Sequence, residues 1–201
     1  NGVQMQTSDD KKYYVDQSAL PHNYPTHLHQ NIFWEELGRT IATFGFLEGV
    51  LTRAIFSLTS TIKYGESDWE EEFDKWIPKI EKSLSDQLGS LIDSYGVAVR
   101  ANPDTDKSEL NEFLETLREA ARLRNVLCHG SWNKPNNAGA SVPFFVNKKH
   151  QKFETPIDVE FLKQTRCHVV ELSSSVMNSV TQLGWQFPGT SGPGQVIYER
   201  R

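Results

Sequence analysis

Apolar residues recur at steps of three and four along most of the chain, which is the spacing of one buried face of an α-helix. The pattern predicts long helices over four stretches: 31–63, 67–92, 108–129 and 158–183. Pro78 falls inside the second stretch and predicts a bend or an early-turn position there. The fold class expected from this pattern is an all-α bundle of four to five helices.

The pattern of residues is no longer helical between the third and fourth predicted helices. Two short runs of β-prone residues, 142–146 and 152–154, flank a polar linker at 147–151. This arrangement is typical of a hairpin. A small β-hairpin insertion is therefore expected before the last long helix.

Polar and turn-forming residues at both ends suggest how the chain is divided. Residues 1–30 are polar and contain Pro21 and Pro25, which predicts a mobile N-terminal lead. Residues 185–201 are rich in Gly and Pro, which predicts a flexible C-terminal tail. The segment 31–184 remains as one helical domain.

The composition bears on the cellular compartment of the protein and on the groups that it could bind. The two cysteines show no paired spacing, which argues against a disulfide framework and a thiolate zinc site and favours a cytoplasmic protein. No apolar run is expected to reach the roughly 20 residues that span a bilayer, so no membrane partner is predicted. No nucleotide-loop pattern is present, and His27 and His29 lack nearby Asp, Glu or Cys partners. We therefore expect neither a cofactor nor a metal.

Charge is unevenly distributed along the chain. The net charge of −5 argues against unspecific adhesion to nucleic acid. Residues 118–152, however, contain seven basic residues against the single acid Glu119. The seven are Arg118, Arg122, Arg124, Lys134, Lys148, Lys149 and Lys152. Such a local field suits a phosphate-bearing substrate, although a solvated charged helix face is the alternative.

The end of the third predicted helix brings a cation, an amide and an imidazole together. Arg124, Asn125 and His129 fall within one and a half turns, a combination suited to binding and cleaving phosphate esters. The alternative is helix punctuation, with His129 favouring the negative end of the helix and Gly130 supplying a left-handed residue that stops it.

Helical spacing places these three residues on different faces of the predicted helix. Asn125 and His129 lie one turn apart on a polar stripe, whereas Arg124 falls on or beside the apolar face. A guanidinium there needs an anion, and Glu48 in the first helix is the natural candidate. The pair could support a site or be purely structural. Trp132, just beyond the helix, could stack on a base or simply close the core.

These residues resemble the signature of the HEPN superfamily, helical bundles that carry an Arg, a polar residue, a short spacer and a His late in a helix. Arg124, Asn125 and His129 match the Arg-Asn-x-x-x-His form over a domain of about 31–184, with Glu48 on a similar acid-bearing helix. The resemblance implies a metal-independent endoribonuclease, commonly a symmetric dimer with two motifs facing each other.

Two hypotheses follow. The first is a homodimeric ribonuclease that uses the ribose 2′-OH. Its role would be that of a toxin, defence or stress effector restrained by an antitoxin or regulatory protein. In this ribonuclease Arg124, Asn125 and His129 are catalytic and Glu48 supports them. Its RNA substrate is expected to contact Arg118, Arg122, Lys148, Lys149 and Trp132. The second hypothesis is a non-catalytic module for dimerisation or for interaction with RNA or protein.

Overall fold

The computed structural model describes residues 13–62, 69–85 and 87–190. Within these ranges the chain forms five α-helices, which confirms the all-α bundle. They are α1 (Asn31–Ser60), α2 (Trp69–Ser85), α3 (Leu88–Ala101), α4 (Leu110–His129) and α5 (Val159–Thr181). Residues 1–12 and 191–201, parts of the predicted lead and tail, lie outside the described residues, as does the predicted start of the second helix at 67.

Helix α1 occupies the centre of the bundle. It packs most extensively against α5 and then α3, and it also contacts α2 and α4. Leu47, Val50, Leu51, Ala54 and Leu58 are fully buried along its inner face. Their three- and four-residue steps follow the predicted stripe, and burying each large aliphatic side chain contributes roughly 1.5–3 kcal/mol.

By length and composition, α1 could also cross a membrane. Its mean hydropathy reaches 1.4 over 18 residues, and 44% of that stretch is buried inside the bundle. A central core helix has the same features. The expectation that the chain holds no segment apolar enough to span a bilayer is therefore wrong for α1.

The second predicted helix is two helices in the structure. Pro78 is accommodated within α2, and the break comes later, where Gln87 is extended at φ −73° and ψ 156°. After the break, α3 packs against both α1 and α4. Its residues Leu91, Ile92 and Tyr95 are buried there.

The connection between α4 and α5 contains no β-strand among the described residues, so the predicted hairpin of two strands is not supported. Isolated antiparallel bridges take its place: Ser131 with Phe144, Ser141 with Ile157, and Val146 with Lys152. Because Phe144 and Val146 pair with different parts of the chain, no continuous ladder forms along 142–146. Pro143 between them also has no N–H to donate.

Gly130 ends α4 for a reason different from the expected one. Its φ of −69° and ψ of 138° are extended rather than left-handed. A Cβ at this position would lie 2.6 Å from the Val126 carbonyl oxygen and 2.8 Å from Pro143 Cβ. Gly130 therefore permits close approach of the connection to the last turn of α4.

His29 joins the segment before α1 to the connection. Its side chain is buried, and its ring stacks on Phe33 at a centroid distance of 4.0 Å. The ring Nε2 lies 3.1 Å from the Asn133 carbonyl oxygen and 3.1 Å from Ser141 Oγ. His29 is thus a packed, hydrogen-bonded residue.

Burial lowers the pKa of His29, because the charged imidazole loses water that the protein does not replace. The unfolded chain then binds the proton more readily than the folded chain. The stability that His29 contributes is therefore complete above a pH of about 6.5, the value of an unperturbed histidine, and is lost as the pH falls through the lowered pKa.

We predict that His29→Gln, which keeps a neutral donor, loses less stability than the wild type when the pH falls from neutral towards 5. Thermal unfolding across this range measures the difference, and subtraction of the two curves removes the contributions of other titrating groups. Parallel curves would contradict the assignment.

Candidate functional site

The side chain of Arg124, a residue of α4, lies where α4 contacts α1. Its Nη2 lies 3.5 Å from Glu48 Oε1, so the ion pair expected from the sequence is present. Its Nη1 donates to Asn125 Oδ1 at 3.4 Å. The Arg124 and Glu48 side chains remain 31% and 29% exposed, so the pair is only partly desolvated. Arg124 is fixed by protein contacts and still accessible from solvent.

The position of Arg124 on α4 explains this arrangement. Arg124 lies between the turns that bury Leu117 and Leu127, on the side of α4 that faces the core. A long side chain can bury its aliphatic stem there and bring its guanidinium to the surface. Glu48 meets it at the seam where α1 contacts α4.

Asn125 and His129 are exposed on the last two turns of α4. His129 is the final helical residue, at the negative end of the helix. Asn125 and His129, one turn apart, therefore present an amide and an imidazole on the same face of α4, and the Arg124 guanidinium contacts the same amide. These groups are accessible to a substrate that approaches from solvent.

The two arginines expected to bind substrate are paired with carboxylates. Arg118 lies 2.8 Å from Asp93 and 3.6 Å from Glu115. Arg122 lies 3.0 Å from Glu115 and 3.7 Å from Glu119. A hydrogen bond from Arg122 is the largest cause of the lowered pKa of Glu115. The positive charge of Arg118 and Arg122 is thus partly neutralised by Asp93 and Glu115, which lie outside 118–152 in sequence, and by Glu119 within it.

Positive charge remains on the connection. Lys148 and Lys149 are exposed in the turn at 147–150, and Lys152 follows on the same surface. Among the residues that the structure describes, no carboxylate forms an ion pair with these three lysines. They can therefore interact with an external anion.

Trp132 packs into an aromatic cluster beside the start of α1. Its ring centroid lies 4.9 Å from that of Phe33 and 6.1 Å from that of His29, in edge-to-face geometry. The side chain is half-buried against the core. This placement agrees with the core-closing alternative for Trp132.

An open groove of about 490 Å³ lies between α4 and the connection. Its lining combines apolar, amide and charged side chains: Glu119, Arg122, Leu123, Asn125, Val126, Phe145, Asn147, Gln151, Lys152 and Phe153. Asn125 thus belongs both to the groove and to the cluster with Arg124. Sequence reasoning did not single out Phe153 or Gln151, because their packing against α4, 25 or more residues away, is not a local feature.

The described residues contain no group of three or more His, Cys, Asp and Glu side chains placed to hold a metal ion. Comparisons with protein-family models, with curated proteins and with solved structures found no match to this chain.

We predict that Glu48→Gln lowers the free energy of unfolding by about 1 kcal/mol. The loss should fall below the roughly 3 kcal/mol typical of a fully buried pair, because water reaches both side chains. Urea unfolding measures it. Glu35→Gln is the matched control, since Glu35 forms an exposed pair with Arg39 at 2.7 Å on the same helix. Equal losses in the two variants would show that Glu48 has no special role.

Proposed function

We propose that this chain is a metal-independent endoribonuclease of the HEPN type. The observation that carries the proposal is the anchored guanidinium of Arg124, held by Glu48 beside Asn125, with the exposed His129 one turn further along α4. A cation beside Asn125, with a solvent-accessible imidazole one turn from that amide, would supply charge stabilisation and proton transfer, the two needs of phosphodiester transesterification.

The reaction uses the substrate's own nucleophile. The ribose 2′-oxygen attacks the adjacent phosphorus while His129 accepts its proton. The bond from phosphorus to the 5′-oxygen breaks, and a protonated imidazole gives a proton to that leaving oxygen. The products carry a 2′,3′-cyclic phosphate and a 5′-hydroxyl. Arg124 stabilises the charge that develops on the non-bridging oxygens, for which a planar, always charged donor is suited.

Two proton transfers with one histidine favour a two-fold dimer. A second copy would bring its own His129 to the same cleft, so that one imidazole acts as base and the other as acid. In each copy Glu48 positions Arg124, and Asn125 orients the phosphate or the imidazole.

The proposed substrate is single-stranded RNA, whose bases and 2′-hydroxyls are accessible. Lys148 and Lys149 would supply the electrostatic attraction to its backbone. Arg118 and Arg122 would contribute less, because they are already paired with carboxylates. A cytoplasmic toxin, defence or stress effector, restrained by an antitoxin or regulatory protein, is the biological role that this activity suggests.

A second candidate function is a non-catalytic module that binds RNA or protein, or that dimerises. The pairing of Arg118 and Arg122 with Asp93, Glu115 and Glu119 favours it, because it reduces the positive charge on α4. In such a module Arg124 and Glu48 would only hold α1 to α4.

We predict that the purified protein cleaves single-stranded RNA in the presence of a chelator and that His129→Ala lowers the rate by about 100- to 10,000-fold, the usual loss for a general acid–base. Arg124→Ala should be comparably damaging. The matched control is His168→Ala, which removes an exposed histidine from α5 and should leave the rate unchanged. Gel analysis measures cleavage, and light scattering on the same samples is expected to show a dimer.

Cleavage that survives His129→Ala in a folded protein, or that appears only with an added divalent metal, would contradict the mechanism. Absence of cleavage across several RNA classes would favour the interaction module.

A further inference from the structure

The groove between α4 and the connection has features beyond those needed for phosphate chemistry. Its volume of about 490 Å³ lies within the usual range for small-molecule sites. Leu123 and Val126 line it from α4, and Phe145 and Phe153 line it from the connection. Four apolar side chains thus form a slot whose surface suits a flat ring.

The wall carrying the two phenylalanines is braced by hydrogen bonds. The Phe153 N–H donates to the Phe145 carbonyl at 3.0 Å. In the intervening turn, Asn147 Oδ1 accepts from the backbone N–H groups of Lys149 at 2.9 Å and Gln151 at 3.0 Å. Asn147 Nδ2 also donates to Gln151 Oε1 at 2.9 Å. The backbone that carries the two phenylalanines is therefore held in shape without a ligand, which reduces the entropic cost of binding one.

Polar groups at the edges of the slot match the edges of a nucleobase. Asn125 and Gln151 carry amides, which can both donate and accept hydrogen bonds. Lys152 adds a cation at the rim, and so does Arg122, although Arg122 is also paired with Glu115 at 3.0 Å and with Glu119 at 3.7 Å. An aromatic slot with amides and an adjacent basic surface is how proteins hold the unstacked bases of single-stranded nucleic acid.

The groove is continuous with the candidate site. Asn125 lines the groove and also accepts a hydrogen bond from Arg124, the residue expected to contact the phosphate. A nucleotide with its phosphate at Arg124 would therefore have its base beside the slot. Lys148 and Lys149 would lie along the course of the neighbouring backbone.

We infer that this groove is a base-binding subsite that takes one unstacked base of single-stranded RNA next to the cleaved phosphate. The inference rests on the proposed ribonuclease function for the position of the phosphate, but base binding itself needs no chemistry. A paired base within a duplex cannot enter the slot, so the subsite would also select single strands.

The test measures the affinity of a fluorescently labelled ten-nucleotide single-stranded RNA by anisotropy, using His129→Ala protein so that the RNA stays intact. Phe145→Leu keeps an apolar side chain but removes the ring. It is expected to weaken binding by about 5- to 100-fold, the range for loss of one aromatic stacking contact. Phe144→Leu is the matched control, because Phe144 is a neighbouring phenylalanine that is 62% exposed and does not line the groove. It should change affinity less than twofold, within the roughly ±0.5 kcal/mol usual for surface substitutions.

A second test changes the RNA instead of the protein, so that its result does not depend on whether a protein variant folds. One base at a time is removed from the same RNA, leaving an abasic ribonucleotide. At one position the loss of affinity should match that of Phe145→Leu, and combining the two changes should add little, because both remove the same contact. Equal affinity of the Phe145→Leu and Phe144→Leu proteins, or abasic effects that are uniform along the RNA, would overturn the inference.

Cleavage assays on otherwise wild-type protein separate this inference from the proposed function. RNA cleavage with a KM that Phe145→Leu leaves unchanged would overturn the subsite and leave the ribonuclease standing. Position-specific loss of RNA binding without any cleavage would support the subsite and overturn the ribonuclease.

Discussion

Burial of α1 determines where the other helices lie. A 30-residue helix whose inner face is apolar along most of its length can be covered only by several partners, and α2, α3, α4 and α5 all contact it. The same helix carries two carboxylates towards these neighbours. Glu36 is buried and lies 3.4 Å from Arg166 Nε on α5, and Glu48 reaches Arg124 on α4. The packing of α1 thus determines the position of each cation. The geometry of the candidate site therefore depends on the packing of the core.

These two ion pairs differ in how exposed their carboxylates are. The Glu36 side chain is only 9% exposed, although that of its partner Arg166 is 36% exposed. The two atoms that meet, Glu36 Oε2 and Arg166 Nε, are buried and form no hydrogen bond among the described residues. The Glu48 side chain is 29% exposed, and its partner Arg124 also contacts Asn125. Water therefore reaches both members of the second pair, and a phosphate could reach them too. This accessibility, together with the exposed imidazole of His129, distinguishes the end of α4 from an ordinary helix seam.

Local patterns predicted much of the fold. The apolar period located α1, α4 and α5 to within about three residues, and the position of Arg124 relative to Leu117 and Leu127 predicted its pairing with Glu48. Non-local contacts were harder to foresee. The steric need for Gly130 depends in part on Pro143, 13 residues away. The bridge of Phe144 is to Ser131, also 13 residues away, whereas Val146 pairs with the nearby Lys152, so that the two bridges do not join into a ladder. The pairing of Arg118 with Asp93 likewise joins α4 to α3 across 25 residues, so counting charges within 118–152 overstated the basic field.

Attack by the ribose 2′-oxygen is the central claim, and a substrate with one altered sugar tests it most directly. In an RNA that the protein cleaves at a known linkage, the ribose on the 5′ side of that linkage is replaced by 2′-deoxyribose, and cleavage is followed at every linkage in the presence of a chelator. The mechanism predicts that cleavage stops at the altered linkage alone and continues at unaltered ones with 2′,3′-cyclic phosphate ends. Cleavage at the deoxy-substituted linkage would contradict it, because the nucleophile would then have to come from elsewhere.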